Sequence, residues 1–275
     1  MLSLNLRAAL LSVVLLVAVL GVWELATPKA AAVGELTEYE IMMGMAAPQA
    51  GIPAPSAIFG HAVDELSRPF YDAGPNDKGI GLQLLYSIGR VMAGYVLAAL
   101  IAIPLGFVIG MSPLMSKALD PYIQILKPIS PLAWMPLALF VIKDSGLSAI
   151  FVIFICSIWP MLLNTAFGVA SVKRDWLNVA RTLELSRLRT AFTVILPAAA
   201  PTILTGMRIS IGIAWLVIVA AEMLVGGTGI GYYVWNEWNN LDLASVIFSV
   251  IMIGVVGMVL DAALAQAGRL VRYQE

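Results

Sequence analysis

Charged residues are scarce in this sequence of 275 residues, of which only 12% are Asp, Glu, Lys or Arg. A soluble domain typically carries about a quarter charged residues. Hydrophobic residues make up 60% of the chain, and the mean hydropathy is +0.91. The net charge of −1 leaves no excess of basic residues for a nucleic-acid partner. This balance indicates a protein of the membrane.

Cysteine and histidine are nearly absent, with one residue of each. A single cysteine excludes an intrachain disulfide, and Cys156 lies in an apolar run, where it is expected to be a small core residue. The lone His61 is expected to be structural, and no metal site is predicted. No stretch matches the phosphate-binding loop that ends in Gly-Lys-Ser/Thr, so any ATP must be bound by another chain.

Long apolar runs dominate what is present. Several are near or beyond the roughly 18 residues that cross a bilayer. They are continuous rather than alternating, which predicts helices and not barrel strands. The expected fold is therefore all-α, a polytopic membrane protein with about six transmembrane helices. The runs cover residues 8–27, 81–111, a third run ending near 143, then 147–170, 199–224 and 243–266.

Basic residues indicate how these spans are oriented, because Lys and Arg near span ends stay on the cytoplasmic side. Six spans place both termini and nine basic residues inside, while the acidic residues gather outside. The first run also fits a cleaved signal peptide, since small residues follow it at 30–32, but we expect it to be kept as a span. The basic residues on the inner side are Arg7, Lys117, Lys173, Arg174, Arg181, Arg187, Arg189, Arg269 and Arg272.

The chain divides into two parts. Residues 1–80 hold the first span and an external acidic segment, and residues 81–275 hold a core of five spans. In the external segment, Ser56 is a candidate cap for a short helix lying along the membrane surface. One face of that helix is expected to carry Ile58, Phe59, Ala62, Val63 and Leu66.

The second span carries a stripe of small residues, each four positions apart. Such stripes let helix backbones approach closely in lipid, where apolar bulk alone gives no preference for a helix over a lipid tail. This helix is therefore expected to pack against another helix, in the same chain or in a second copy. The stripe consists of Gly94, Ala98, Ala102, Gly106 and Gly110.

Prolines interrupt the start of the third span at Pro128, Pro131 and Pro136. Proline within a helix removes a hydrogen-bond donor and frees a carbonyl. Irregular backbone at membrane depth is tolerated only inside protein or beside a wet cavity. Two interpretations stay open: an ordinary kinked start of the span, or a broken helix that lines a pathway.

The segment 171–201 is basic and has helical periodicity. Asp175 is a candidate N-cap, and Ser186 could cap a second short helix running to Pro197. The pattern fits either a helix buried in lipid headgroups or a docking helix for a cytoplasmic partner. One face carries the apolar residues Trp176, Val179, Ala180 and Leu183, and Arg181, Arg187 and Arg189 border it.

Four charged residues fall within spans, where charge is costly and often functional. Arg208 either bonds to a neighbouring helix or lines a substrate pathway; for Arg90, Glu222 and Asp261 we expect snorkelling or helix pairing. An intramembrane enzyme using Glu222 or Asp261 is the alternative from another class, but no convincing second polar group faces either residue. A gradient-driven transporter is disfavoured because the hydropathy pattern shows no inverted repeat.

Three motifs resemble the membrane permease subunit of bacterial ABC importers. That family has Glu-Ala-Ala, three residues, Gly, and then, about nine residues on, Ile/Leu-Leu-Pro. In this chain 178–180 occupy the Glu-Ala-Ala position, Glu184 stands where Gly is usual, and 195–197 close the motif. The segments ILPAAAPTILTGMRISIGIAWLVIVAAEML and PISPLAWMPL resemble the branch for nitrate, bicarbonate, sulfonate and taurine. NVARTLELS with GGTGIGYYVWNEWN is most similar to nitrate and bicarbonate permeases.

The resemblance implies a transport subunit and not an enzyme, with nitrate or nitrite as its first substrate and bicarbonate or a sulfonate as the alternative. It implies a homodimer in a bacterial inner membrane, two cytoplasmic ATPase subunits that bind ATP and Mg, and an external solute-binding protein. No cofactor is expected on this chain. A coupling helix at about 175–190 would contact the ATPase through Asp175, Trp176, Val179, Ala180, Arg181, Leu183, Glu184 and Arg187.

Overall fold

The computed structural model describes residues 3–27, 51–74 and 77–271. Apart from one isolated bridge between Asp72 and Lys78, these residues form helices and the turns that connect them. This confirms the all-α prediction. The helices are α1 (Leu4–Ala26), α2 (Pro55–Ser67), α3 (Ile80–Met111), α4 (Pro113–Leu126), α5 (Pro131–Ile142), α6 (Ser145–Ala170), α7 (Arg174–Thr182), α8 (Arg187–Thr190), α9 (Leu196–Val225), α10 (Ile230–Asn239) and α11 (Leu243–Val271).

Five helical stretches in the described residues are long and apolar enough to cross a membrane. A sixth crossing results if α4 and α5 together form one span, because the pair passes the same test despite an 88° bend. The expectation of about six spans is thus confirmed. The five stretches are Leu6–Ala26, Ile80–Met111, Ser145–Ala170, Arg187–Val225 and Leu243–Gly268.

The centre of the fold is α6, which lies between α3 and α9. The small-residue stripe of α3 faces α6 in the same chain, and Ala98 and Ala102 are fully buried. Glycines in this stripe are needed because a side chain would collide with α6. A Cβ at Gly94, Gly106 or Gly110 would lie 2.8, 2.6 or 2.7 Å from the Cβ of Ile153, Thr165 or Val169, respectively.

The opposite side of α6 packs against α9 by the same means. A Cβ at Gly206 would lie 2.6 Å from the Cβ of Asn164, so the two backbones approach closely. Ser210 of α9 donates a 2.7 Å hydrogen bond to the carbonyl of Ser157. Close backbone contact and one buried hydrogen bond therefore hold these two helices together. In lipid, apolar side chains alone would not favour the contact between helices over contact with lipid tails.

The proline-rich stretch is a break and not a gentle kink. Helix α4 ends at Leu126, α5 begins at Pro131, and their axes differ by 88°. Proline suits the first position of a helix, since the N–H it lacks has no partner there. Of the two interpretations left open by the sequence, the broken helix is the one observed.

Helix α1 contacts the rest of the described chain mainly through α2. The backbone N–H and hydroxyl of Ser56 bond to the Glu24 carboxylate at 3.1 and 2.8 Å. The prediction that Ser56 caps α2 is wrong: Ala54 is the N-cap, and Ser56 serves as a tether to α1. Of the apolar face predicted on α2, Ile58 is buried against the rest of the chain, whereas Phe59 is 72% exposed.

Candidate functional site

The basic segment after α6 forms the short helix α7, which begins at Arg174 with Lys173 as its N-cap. The expectation that Asp175 is the cap is therefore wrong; Asp175 lies in the first turn, where a carboxylate still interacts favourably with the helix dipole. The coupling helix that the resemblance implies at about 175–190 is interrupted in the structure. Helix α7 ends at Thr182, and the next helical residues begin at Arg187.

The outer face of α7 is an apolar surface without cover in the described chain. Trp176, Val179 and Leu183 are 42%, 58% and 65% exposed. Ala180, on the face toward the protein, is buried, and Leu177 packs against the small cluster that contains Val172 and Ile195. The structure therefore buries Ala180, which the sequence predicted to share the exposed apolar face, and leaves its neighbours on that face available. We call Trp176, Val179 and Leu183 the α7 ridge.

The C-terminus of α7 explains an unusual position in the family motif. The amide of Leu185 donates to Ala180 O at 3.1 Å, and the amide of Glu184 donates to Arg181 O at 3.0 Å. Together these bonds form a Schellman cap, in which the residue after the C-cap adopts a left-handed backbone conformation. Glu184 is that residue, with φ of +49°. Glycine is usual there because it adopts positive φ without steric cost.

Beyond this cap, Ser186 begins the next helix as predicted, since its hydroxyl accepts the Arg189 amide at 3.3 Å. The helix does not end at Pro197. One π-helical turn, Ala191–Ile195, leads directly into α9, and Pro197 lies in the first turn of α9. Helix α7 is thus joined to a helical stretch of 39 residues, Arg187–Val225, that crosses the membrane.

Near the C-terminus of α9, Glu222 lies in a buried polar network. Its carboxylate accepts from Arg90 Nη1 at 2.8 Å, from the Ser87 hydroxyl at 2.8 and 2.9 Å, and from the amide of Gly231 at 3.0 Å. Helix pairing, expected for Arg90 and Glu222, is what the structure shows. Because every oxygen of Glu222 is engaged, the network does not resemble the free acid–base residue of an intramembrane enzyme.

The same network holds the loop between α9 and α10 against α3. Gln83 Oε1 accepts the amide of Gly229 at 2.6 Å, and Arg90 donates to the carbonyl of Thr228 at 2.5 Å. The sequence reasoning missed Gln83 and Ser87. Their spacing was the available indication, since Gln83, Ser87 and Arg90 recur at i, i+4 and i+7 on one face of an apolar helix.

The segment after this loop contains the short helix α10. His61 of α2 packs against the following span as a structural residue: its Nε2 lies 2.9 Å from the hydroxyl of Ser245, and its ring meets Phe248 edge-on at 5.8 Å. Within the described residues, no group of three or more His, Cys, Asp or Glu could hold a metal ion.

Arg208 lies inside α9 and pairs with Asp261 of α11. Arg208 Nε and Nη2 donate to the two carboxylate oxygens of Asp261, each at 2.5 Å. The side chains are 50% and 45% exposed, respectively. Sequence reasoning singled out each of these residues, but gave no indication that they form a pair.

The family model of the binding-protein-dependent transport system inner membrane component matches residues 102–273. The chain is 45% identical over 214 residues to the nitrate import permease protein NrtB of Synechocystis sp., covering 78% of each chain. It is 43% identical over 223 residues to the bicarbonate transport system permease protein CmpB of the same organism, covering 80% of each.

The fold is similar to a chain of the MetNI methionine ABC transporter in an inward-facing conformation. The TM-score is 0.61 at 12% identity, covering 69% of this chain and 94% of the other. This similarity concerns the fold alone. Together with the family model and the permease relatives, it leads to one conclusion: the chain belongs to the family of binding-protein-dependent transport system inner membrane components, a transport family and not a family of enzymes.

Proposed function

We propose that this chain is the permease subunit of an ATP-driven importer for a small planar oxyanion, with nitrate or nitrite first and bicarbonate as the alternative. The observation that carries the proposal is the α7 ridge, an exposed apolar surface on a short helix that leads into a spanning helix. Such a ridge fits the groove of a partner. ATP-driven movement of that partner would be transmitted through α7 to α9.

Two features support the proposed substrate. The relatives named above include a nitrate and a bicarbonate permease at nearly equal identity, and both of those anions are planar with oxygens at the edge. In addition, Arg208 places a half-exposed guanidinium within a span. A guanidinium presents paired N–H donors that match such oxygens. Arg208 is accordingly proposed to line the pathway.

The proposed assembly contains a second copy of this chain, two cytoplasmic ATPase subunits that bind ATP and Mg, and an external solute-binding protein. We propose a bacterial inner-membrane location with both termini cytoplasmic. Residues 81–275 would form the permease core, and the family model matches residues 102–273 within it. Residues 1–80 would be an accessory first span with an external segment. The coupling contacts predicted for Arg181, Glu184 and Arg187 remain part of this proposal.

Docking is tested by co-purification of the chain with its ATPase subunits. Replacing Trp176 and Leu183 with Asp should abolish co-purification, because two carboxylates in an apolar interface lack partners. A matched control replaces Trp238 and Leu241 with Asp in the same way. These two side chains are 53% and 76% exposed and lie far from α7 in the sequence. The control pair should leave ATPase binding intact. Normal binding by the Trp176→Asp, Leu183→Asp variant would refute the docking role.

The substrate is tested in proteoliposomes that contain the complete importer. Labelled nitrate and labelled bicarbonate are supplied separately with ATP inside, and initial uptake rates are compared. The proposal expects ATP-dependent uptake of nitrate at the higher rate. ATP-independent uptake by the isolated chain would contradict it.

A further inference from the structure

The pair formed by Arg208 and Asp261 lies deep in the spanning region. Arg208 is twelve residues beyond the start of α9, about 18 Å along the helix axis at 1.5 Å per residue. Both side chains are close to half exposed. Charged groups at such depth are not stable against lipid tails, and they face water or protein instead. The surface around this pair therefore faces water or protein in the membrane.

The residues beside the pair agree with this assignment. On α9, Thr205 and Gly212 are exposed on the same side as Arg208, three residues before it and four residues after it along the helix. On α11, Gly254 is exposed, and a Cβ there would meet no atom within 4 Å. The two glycines, Gly212 and Gly254, leave open space on this side of α9 and α11.

Contacts other than the ion pair hold α9 and α11 together. Trp215, two turns beyond Arg208, is buried and donates its indole N–H to the carbonyl of Ile253 at 2.9 Å. Gly257 makes room for the same indole, since a Cβ there would lie 3.1 Å from Trp215 Cδ1. Because these contacts join the two helices independently, the exposed pair is not required to keep them in place.

We propose that Asp261 is a built-in competitor for the transported anion, and that Arg208 exchanges the Asp261 carboxylate for the substrate during transport. This inference rests on the function proposed above. The carboxylate presents two oxygens to two N–H groups of the guanidinium. Nitrate and bicarbonate are planar and present two oxygens in the same way, so either can replace the carboxylate at that edge.

The exchange gives Asp261 a definite role in turnover. With the carboxylate present, the guanidinium is never left unpaired in the membrane, and the anion is bound weakly enough to be released. Without the carboxylate, the anion would bind more tightly and leave more slowly. Asp261 thus determines how tightly the pathway holds the anion and how readily the anion is released.

The test uses the purified complex of permease and ATPase subunits in lipid nanodiscs. Nitrate binding is measured by calorimetric titration, and ATP-driven nitrate uptake is measured after adding the binding protein in proteoliposomes. Asp261→Asn should lower the Kd for nitrate roughly fivefold, the amount by which a half-exposed ion pair competes. The same variant should lower the maximal uptake rate. Arg208→Gln should lose both binding and uptake.

A double variant, Arg208→Met with Asp261→Leu, separates exchange from helix packing. A matched apolar pair commonly replaces an ion pair without loss of stability. The complex should therefore assemble normally yet fail to bind or transport nitrate. Wild-type uptake by this double variant, or an unchanged Kd in Asp261→Asn, would overturn the exchange. If the unmodified complex transports neither nitrate nor bicarbonate, the proposed function itself is refuted, and the exchange is refuted with it.

Discussion

Glu184 adopts a backbone conformation that is unfavourable for a residue with a side chain. Its φ of +49° is left-handed, and its Cβ makes that conformation costly, by roughly 1 kcal/mol or more. The hydrogen bonds of the α7 cap hold it there. The strain therefore lies at the point where the proposed coupling helix joins the chain that leads to α9.

Glu184→Gly should stabilise the end of α7 by about 0.5–1 kcal/mol, because glycine adopts positive φ without the Cβ penalty. Hydrogen exchange of the amides of Glu184 and Leu185 measures the change. Glu184→Ala is the matched control, since it removes the charge and keeps the Cβ. Equal protection in the two variants would show that charge, and not backbone strain, is responsible.

For single residues, the sequence indicated which charged side chains need a partner, but it did not indicate which side chains pair with each other. The cost of charge in a membrane identified Arg90, Arg208, Glu222 and Asp261 as residues needing partners. Which residues pair depends on how α3, α9 and α11 are placed around α6, and helical periodicity carries no information on that placement. The Glu222 network also includes Gln83 and Ser87, whose neutral side chains did not stand out.

At the scale of elements, α6 is the helix on which the packing depends. A Cβ at Gly106 of α3 would lie 2.6 Å from Thr165 Cβ and 2.9 Å from the carbonyl of Leu162. At Gly89, which is in the same helix, a Cβ would meet no atom within 4 Å. The two glycines therefore differ in their surroundings and not in their helix.

Gly106→Ala should destabilise the protein by roughly 1–3 kcal/mol, the usual cost of overpacking a close contact. Gly89→Ala should be neutral or slightly stabilising, since alanine favours the helix. Thermal unfolding in detergent micelles compares the two variants with the unmodified chain. Equal loss of stability in both would contradict the packing of α3 against α6.

Helices α2 and α10 carry acidic groups and lie outside the candidate spans. Partial burial raises the pKa of Glu65 above 4.5, and the negative charges of Glu237 and Asp242 raise it further, against the opposing effect of His61. Desolvation likewise raises the pKa of Glu237. Folding thus favours the protonated form of these two carboxyl groups, so the stability that they contribute is fully present below pH 4.5 and is lost as pH rises through the raised pKa values.

Glu65→Gln should therefore protect α2 at neutral pH and weaken its dependence on pH. Hydrogen exchange of α2, corrected for the intrinsic rate, is followed from about pH 4.5 to 8. Asp64→Asn changes the adjacent, exposed residue and should have little effect. A pH dependence unchanged by Glu65→Gln would mean that another group controls this region.

Helix existence was predictable because the apolar runs are long, whereas several helix ends were not. Helix α7 begins before Asp175, and the π-helical turn makes the second helix continue past Pro197. Both helix ends depend on local capping and on contacts with the rest of the protein, and the two effects compete. The break between α4 and α5 was foreseen only as one of two possibilities. Prolines indicate where a helix is interrupted, but the 88° angle depends on tertiary packing.

For the molecule as a whole, the proposed orientation places α7 inside the cell and α10 outside. Cys156 is buried and is the chain's single cysteine, so Cys156→Ala gives a background without thiols. In intact cells, a membrane-impermeant maleimide should label Trp238→Cys and should label Trp176→Cys only after permeabilisation. The opposite labelling pattern would reverse the orientation and exclude docking of α7 to a cytoplasmic ATPase.

The contact between Gly106 and Thr165 also constrains how this protein can evolve. A larger residue at 106 is compatible with the fold only if α3 moves away from α6, because the carbonyl of Leu162 lies 2.9 Å from the position of the added Cβ and no side-chain change removes it. A single compensating substitution at 165 is therefore not enough. Lineages that depart from glycine at 106 should differ in the spacing of these two helices.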